Sequence, residues 1–290
     1  MGDFIYPQLW LSEAISGFIF TLGALLTWVF VNKEGSMLDT KFKKRMFSAL
    51  TMLALTFVAM FGGMFVSNLH PDQSPANSLP GEGGHGWGNP AISMGLAFTQ
   101  PGHVFNEPNI LVLGIFYVIF QFIGAAVALG AFVIFTWIYN STTSDGTKLI
   151  RLTKLFQFDK THPAKGFSKD AIASMLVVFA FVGATLMSTE LPSAFPSNPM
   201  FRFTAVFASG FAMLLVVMLF GERMIITINP IVWFAAFVLK FASQILNNGK
   251  FKLQFFLSEF ASPVATMGAA LVSGLVMYGI INIPSVVHTA

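Results

Sequence analysis

The chain has no cysteine among its 290 residues. Disulfides, thiolate metal sites and cysteine nucleophiles are therefore excluded, and the redox compartment leaves no mark. Charge is scarce too: Asp, Glu, Lys and Arg make up 10% of the chain, against about 25% in soluble domains. No Lys or Arg precedes the first apolar run, so "MGDFIYPQLW" lacks the basic segment of a cleaved signal peptide and reads as the approach to a first span. What the chain does have is apolar surface. Hydrophobic residues account for 55%, phenylalanine alone occurs 34 times, and mean hydropathy is +0.72. This is the composition of a membrane protein, in which segments of about 20 residues cross the bilayer.

Apolar runs of spanning length occupy residues 10–31, 46–66, 110–139, 171–187, 203–220 and 255–281. Two further runs each follow an Asn-Pro pair, "NPAISMGLAF" from Asn89 and "NPIVWFAAFVL" from Asn229. At about ten residues each suits a half-helix that enters the bilayer and stops, although an amphipathic surface helix has the same length.

Internal similarity favours the half-helix. "SEAIS" in the first span matches "KDAIA" at the start of the fourth, so Glu13 corresponds to Asp170. "NPAIS" matches "NPIVW", and "GAAVALG" (124–130) in the third span matches "GAALVSG" (268–274) in the sixth. The three matches occur in one order. A repeat of three spans is odd-numbered, so its second copy enters from the opposite side. The expected organisation is a first repeat over 1–140, a basic connection over 141–169 and a second repeat over 170–290. Proline suits a first helical position and Asn an N-cap, so each Asn-Pro pair starts a helix. Two such starts then meet head to head near the midplane, with converging positive dipole ends and both Asn amides facing a cavity. The glycines and alanines of the "GAA" segments allow neighbouring helices to approach closely.

With "GNPAIS" (88–93), the second Asn-Pro pair, "QFIGAA" in the third span, Glu13 and the duplicated glycines, the sequence resembles the major intrinsic proteins, the aquaporin and aquaglyceroporin family. The resemblance implies an all-α six-span bundle with two re-entrant half-helices, an inverted three-span repeat, one pore per protomer and a homotetramer. It also implies that Asn89, Pro90 and Ala91, with Asn229, Pro230 and Ile231, line the junction of the pore. Asn89 and Asn229 would then donate hydrogen bonds to a passing water or hydroxyl. Glu13, Asp170 and Gln121 would stand behind the pore and order loop backbone. Buried acids otherwise suggest proton coupling.

The second motif departs from the family pattern. Ile231 stands where alanine is usual, Val232 where an arginine narrows the filter, and Trp233 where glycerol facilitators carry an aspartate. Ile226, three residues before Asn229, is another filter candidate. An apolar constriction offers a polar solute no replacement for its hydration. Arg223 could supply the missing charge at the pore mouth, although pairing with Glu222 or a lipid phosphate is the favoured reading. The long segment before Asn89 holds His70, Asp72, Glu82 and His85, whose irregular spacing in a turn-rich loop reads as solvated and not as a metal site.

Of 16 basic residues, all but Arg202 fall on one face. Five lie between spans one and two, six between spans three and four, and Arg223, Lys240, Lys250 and Lys252 flank the second half-helix. The positive-inside rule makes that face cytoplasmic and leaves both termini outside, whereas the family has them inside. The charge asymmetry is given more weight, and the basic face is also suited to anionic membrane lipids. The sequence therefore reads as a multi-pass channel for small neutral solutes, without cofactor, metal, nucleic-acid partner or enzymatic chemistry. The alternatives are a closed channel relative with a structural role, and a transporter coupled through Glu13 or Glu259.

Overall fold

The computed structural model describes residues 7–67, 87–98, 108–146, 149–157, 163–190, 200–248 and 259–281, and among them there is no strand. Ten helices are described: α1 (Pro7–Asn32), α2 (Lys41–Ser67), α3 (Pro90–Ala97), α4 (Pro108–Thr142), α5 (Leu152–Leu155), α6 (Pro163–Glu190), α7 (Met200–Phe220), α8 (Met224–Thr227), α9 (Pro230–Asn248) and α10 (Ala261–Ile281). Five of them, α1, α3, α4, α6 and α9, open on proline, which fits a first helical position because its missing N–H needs no partner there.

Helices α1, α2, α4, α6 and α10 are long and apolar enough to cross a membrane. Helix α7 has 21 residues, which gives it about 30 Å of length, the thickness of a bilayer core. The surface carries many large apolar side chains, and the interior combines an apolar core with buried polar groups. Trp137, Phe65 and Leu219 point outward, while Ser12, Glu13, Ser16, Gln121 and Thr266 are buried. Several buried hydroxyls are satisfied within their own helix, as where Thr56 donates to the Met52 carbonyl at 2.8 Å and Ser273 to that of Ala269 at 2.7 Å.

Packing follows one pattern twice. Helix α1 lies against α2 and α4, as α6 lies against α7 and α10, and the α2–α7 contact joins the two groups. Between α1 and α4 the backbones nearly touch. A Cβ at Gly17 would stand 2.7 Å from the Gln121 carbonyl oxygen, and one at Gly124 would collide with the carbonyl of Ala14. Only glycine permits that approach. Gly268, the counterpart of Gly124, faces open space.

The two half-helices differ in length. Helix α3 has 8 residues, with Gly95 inside it and Pro101 and Gly102 soon after it in the sequence. Helix α9 has 19, well beyond the ten or so expected from its apolar run. Its extension, Lys240 to Asn248, contains no Gly or Pro, and its polar residues find partners that keep the helix intact. The Lys240 ammonium donates to Glu259 at 2.8 Å, and Ser243 to the Thr153 carbonyl at 2.9 Å.

Candidate functional site: the junction of the two half-helices

At the first start, Asn89 caps α3 in an extended conformation, φ −146° and ψ 109°. Its Oδ1 accepts from the Ala91 N–H at 3.0 Å. The chain reaches this cap through Gly88 at φ +55°, the left-handed region that glycine enters without steric cost. A Cβ there would also press within 2.9 Å of the Ser16 backbone. Behind the turn, the fully buried Glu13 holds the backbone. Its Oε1 accepts from the Trp87 N–H and its Oε2 from the Gly88 N–H, both at 3.2 Å. The Gln121 amide donates to the same carboxylate at 2.6 Å and to the Ser93 hydroxyl at 3.0 Å. Carboxylate, amide and hydroxyl thus clamp residues 87–93 to α1 and α4, and charge-assisted bonds of this kind are among the stronger ones.

The second start is built from a helical turn. After α7 the chain reverses at Gly221, φ +101°, and winds through α8, in which Met224, Ile225, Ile226 and Thr227 are all buried. Asn229 then caps α9, its Oδ1 accepting from the Ile231 N–H at 3.2 Å. Its Nδ2 donates to the Gly88 carbonyl at 2.8 Å. One hydrogen bond therefore ties the second cap to the residue before the first cap, and the two helix starts abut. The bond engages one of the two N–H groups of the Asn229 amide with the opposing turn. The side chain of Asn89 makes no bond among the described residues beyond the one to Ala91.

Asp170, the counterpart of Glu13, is also buried, and its Oδ1 accepts from the Thr227 hydroxyl at 3.0 Å. The Thr227 carbonyl in turn accepts from Ser262 at 3.3 Å and Thr266 at 3.4 Å, both on α10. Glu13 thus grips backbone, whereas Asp170 grips a side chain whose carbonyl is held from elsewhere.

The filter candidates lie in apolar surroundings. Ile231 and Val232 are fully buried in the main core, and Ile226 belongs to a second apolar cluster with Leu25, Phe132 and Leu239. Arg223 begins α8 half-buried, its carbonyl accepting from the Ile226 N–H at 3.0 Å. Glu222, its favoured partner, sits 3.9 Å from the Nε of Arg45. Glu259 is buried against Lys240 and so is not a lone carboxyl. No group of three or more metal-ligating side chains occurs among the described residues, and His70, Asp72, Glu82 and His85 lie outside them. Ser93, Thr227, Ser262 and Thr266 escaped sequence reasoning. Only Ser93 carried a signal, one helical turn beyond Asn89, and the others are ordinary hydroxyls in apolar runs.

This architecture is shared with a solved structure. The chain is similar to the aquaglyceroporin from Plasmodium falciparum, with a TM-score of 0.59 over 98% of this chain and 100% of that one, at 16% sequence identity. Identity that low shows the fold alone: an all-helical, multi-pass membrane protein of aquaporin-like architecture. No protein-family model matches the sequence, and no curated protein does.

Proposed function

We propose that the protein is a passive channel for small uncharged solutes such as water or glycerol, with its pore at the Asn89/Asn229 junction. The observation that carries this reading is the bond from Asn229 to Gly88, which brings two proline-started, asparagine-capped helices end to end inside a membrane bundle. Backbone of this kind occurs at membrane depth only where protein buries it or it lines a cavity, and two facing N-termini favour a dipolar solute over a cation. Asn89 is the donor to the solute, and Ile226 and Val232 form an apolar filter. Glu13, Gln121 and Asp170 hold the surrounding turns and carry no protons. The repeats are 1–140 and 170–290, related by inversion, and four copies assemble as a homotetramer in contact with membrane lipids.

Purified protein in liposomes should pass water, glycerol or urea down a gradient, at a rate unchanged when a proton gradient is dissipated. Asn89→Ala should lower that rate several-fold. Flux that needs a proton gradient would overturn the passive reading. A second reading, a closed relative, draws on the engagement of the Asn229 amide and on the burial of Ile226, Ile231 and Val232. It predicts no flux of any of the three solutes.

The fifteen-to-one distribution of basic residues leads us to place the face carrying Lys33 to Arg45 in the cytoplasm. A tag after Ala290 should then be labelled on intact cells, and a cysteine at Ser36 should not.

A further inference from the structure

Helix α1 ends at a cation that no acid answers. The Nζ of Lys33, the residue after its last, lies 5.8 Å from the centre of the Phe30 ring and 5.7 Å from that of Tyr139 on α4. Both are cation–π distances, and two rings without net charge hold the ammonium in place while leaving it unneutralised. Its neighbours are matched: Lys43 with Asp39 at 2.8 Å, Lys154 with Glu34 at 3.0 Å and Arg45 with Glu222 at 3.9 Å. Among the described residues Lys33, Lys41 and Lys44 have no acidic partner. Lys41 is exposed at the start of α2, whereas Lys33 and Lys44 are half-buried. These two stand together. The Phe30 ring meets that of Phe47 on α2 at 5.0 Å, and α1 and α2 are consecutive spans that run in opposite directions. Lys33 comes three residues after Phe30 and Lys44 three before Phe47, so each lies one turn beyond the ring pair on the same side of its helix.

An apolar track leads away from this pair. Helix α1 is packed between α2 and α4, and Ile15, Phe18, Leu22 and Leu26, three or four residues apart, form a half-buried strip along it that reaches Phe30. The opposite side of α1 carries Glu13, Phe20, Ala24 and Val31, all buried, so the strip faces the bilayer. The span from Trp10 to Asn32 has 23 residues. Its length of about 35 Å exceeds the hydrocarbon core of roughly 30 Å, which sets Lys33 at the level of the lipid headgroups.

We propose that Lys33 and Lys44 hold the phosphate of one anionic phospholipid whose acyl chain lies along the strip of α1 between α2 and α4. Two ammonium groups outnumber the single charge of a phosphodiester, so a headgroup without a cation of its own fits, and choline would add a third positive charge. Phe30 and Tyr139 are positioning residues, since they hold the Lys33 ammonium and not the phosphate. The site requires only a multi-pass membrane protein, so it stands or falls independently of the channel reading.

The test offers the purified full chain in detergent equal amounts of phosphatidylglycerol and phosphatidylcholine and weighs the complexes by native mass spectrometry. The wild type should retain one phosphatidylglycerol per chain, several-fold more often than phosphatidylcholine. Lys33→Gln with Lys44→Gln should lower that retention to the level of phosphatidylcholine. Lys43→Gln with Lys154→Gln removes the same charge from the same edge and should leave the preference intact. None of these four lysines belongs to the core, so a loss cannot be laid to misfolding. Leu22→Trp, which narrows the track and leaves both lysines in place, should weaken phosphatidylglycerol retention several-fold. Equal losses in the two double variants would reduce the site to the general attraction of a basic face and overturn it. Displacement of the lipid by glycerol 3-phosphate, which carries the phosphate without a chain, would overturn it as well, because the site would then hold a soluble anion. An oligomer that retains neither lipid would mean that a second copy of the chain covers the strip, and would likewise end the proposal.

Discussion

At α3 the residue before the capping asparagine is Gly88, with φ +55°, whereas at α9 it is Ile228, with φ −75° and ψ −20°. The first start is an irregular turn whose N–H groups find no partner in a helix, and Glu13 supplies one to each of Trp87 and Gly88. The second start is already helical. The N–H of Ile228 donates to the Met224 carbonyl at 3.3 Å, so the acid of that half has no orphan backbone to collect and takes the Thr227 hydroxyl instead. Two copies of one motif have thus reached the same end, a capped helix N-terminus at the junction, by different routes. In the first, a buried charge substitutes for missing helical hydrogen bonds. In the second, the approach to the cap is already bonded as a helical turn, and the holding contacts move outward to Ser262, Thr266 and the Lys240–Glu259 pair.

The sharpest way to break this comparison is to remove the two acids. Glu13→Ala strands two backbone N–H groups and the Gln121 amide in the interior. At about 1.5–3 kcal/mol for each hydrogen bond to a charged group, the loss should be on the order of 4 kcal/mol or more. Asp170→Ala releases the Thr227 hydroxyl, which has a second acceptor in the Arg223 carbonyl at 3.4 Å, and the Ser262 hydroxyl, which has one in the Thr227 carbonyl at 3.3 Å, so its loss should be about 1–2 kcal/mol. Denaturant unfolding in detergent measures both. Equal losses would mean that the two acids do the same work and that the asymmetry drawn above is wrong.

The left-handed glycines give a smaller contrast. Each approach contains one, Gly88 beside its cap and Gly221 eight residues ahead of Asn229. A Cβ at Gly221 would find its nearest atom 3.6 Å away, on Arg45, whereas one at Gly88 meets the Ser16 backbone at 2.9 Å. Gly221→Ala should therefore show the conformational term alone, about 1–2 kcal/mol, and Gly88→Ala roughly 1 kcal/mol more, because the Ser16 backbone has to shift. Melting curves that rank Gly221→Ala as the worse variant would place the tight point at the wrong turn.

How much of this was legible in the sequence follows from the range of each interaction. Helix starts are local, so Asn89-Pro90 and Asn229-Pro230 announced both half-helices, and the apolar runs announced the spans. The Glu13–Asp170 correspondence came from the repeat, and the expectation that Glu13 orders loop backbone needed the family resemblance. The bond from Asn229 to Gly88 joins residues 141 apart, and nothing local to either residue specifies it. Helix α9 is longer than the first apolar stretch after Asn229 because Lys240 interrupts that stretch without ending the helix: apolar residues resume at Phe241, Ala242, Ile245 and Leu246, while Lys240 and Ser243 reach Glu259 and Thr153. The pairing of Lys240 with Glu259 and the inward turn of Phe156 likewise depend on which helices become neighbours. Residues 149–157 carry no motif at all, and their anchoring emerges only from what Asn140, Trp28 and Ser243 reach.

The smallest expected effect concerns the exposed Lys154–Glu34 pair, 3.0 Å apart, between the connection after α4 and the end of α1. The hydrogen bond from Lys154, and then its charge, hold the Glu34 carboxyl below its usual value of 4.5. A carboxylate whose pKa is lower in the folded state than in the unfolded chain favours folding above the unfolded value, and that contribution disappears as pH falls through the folded value. Both side chains are more than half exposed, so water and salt screen the pair. Glu34→Gln should therefore lower the melting temperature slightly at neutral pH. The gap should close as pH falls through the folded value of Glu34, below which both proteins carry a neutral side chain, and should shrink in about 1 M salt. A gap that widens in acid would have the wrong sign for a depressed carboxylate. A gap of several degrees at neutral pH would mean that residues 149–157 are held chiefly by this charge pair, and not by their bonds to Asn140, Trp28 and Ser243 and the burial of Phe156.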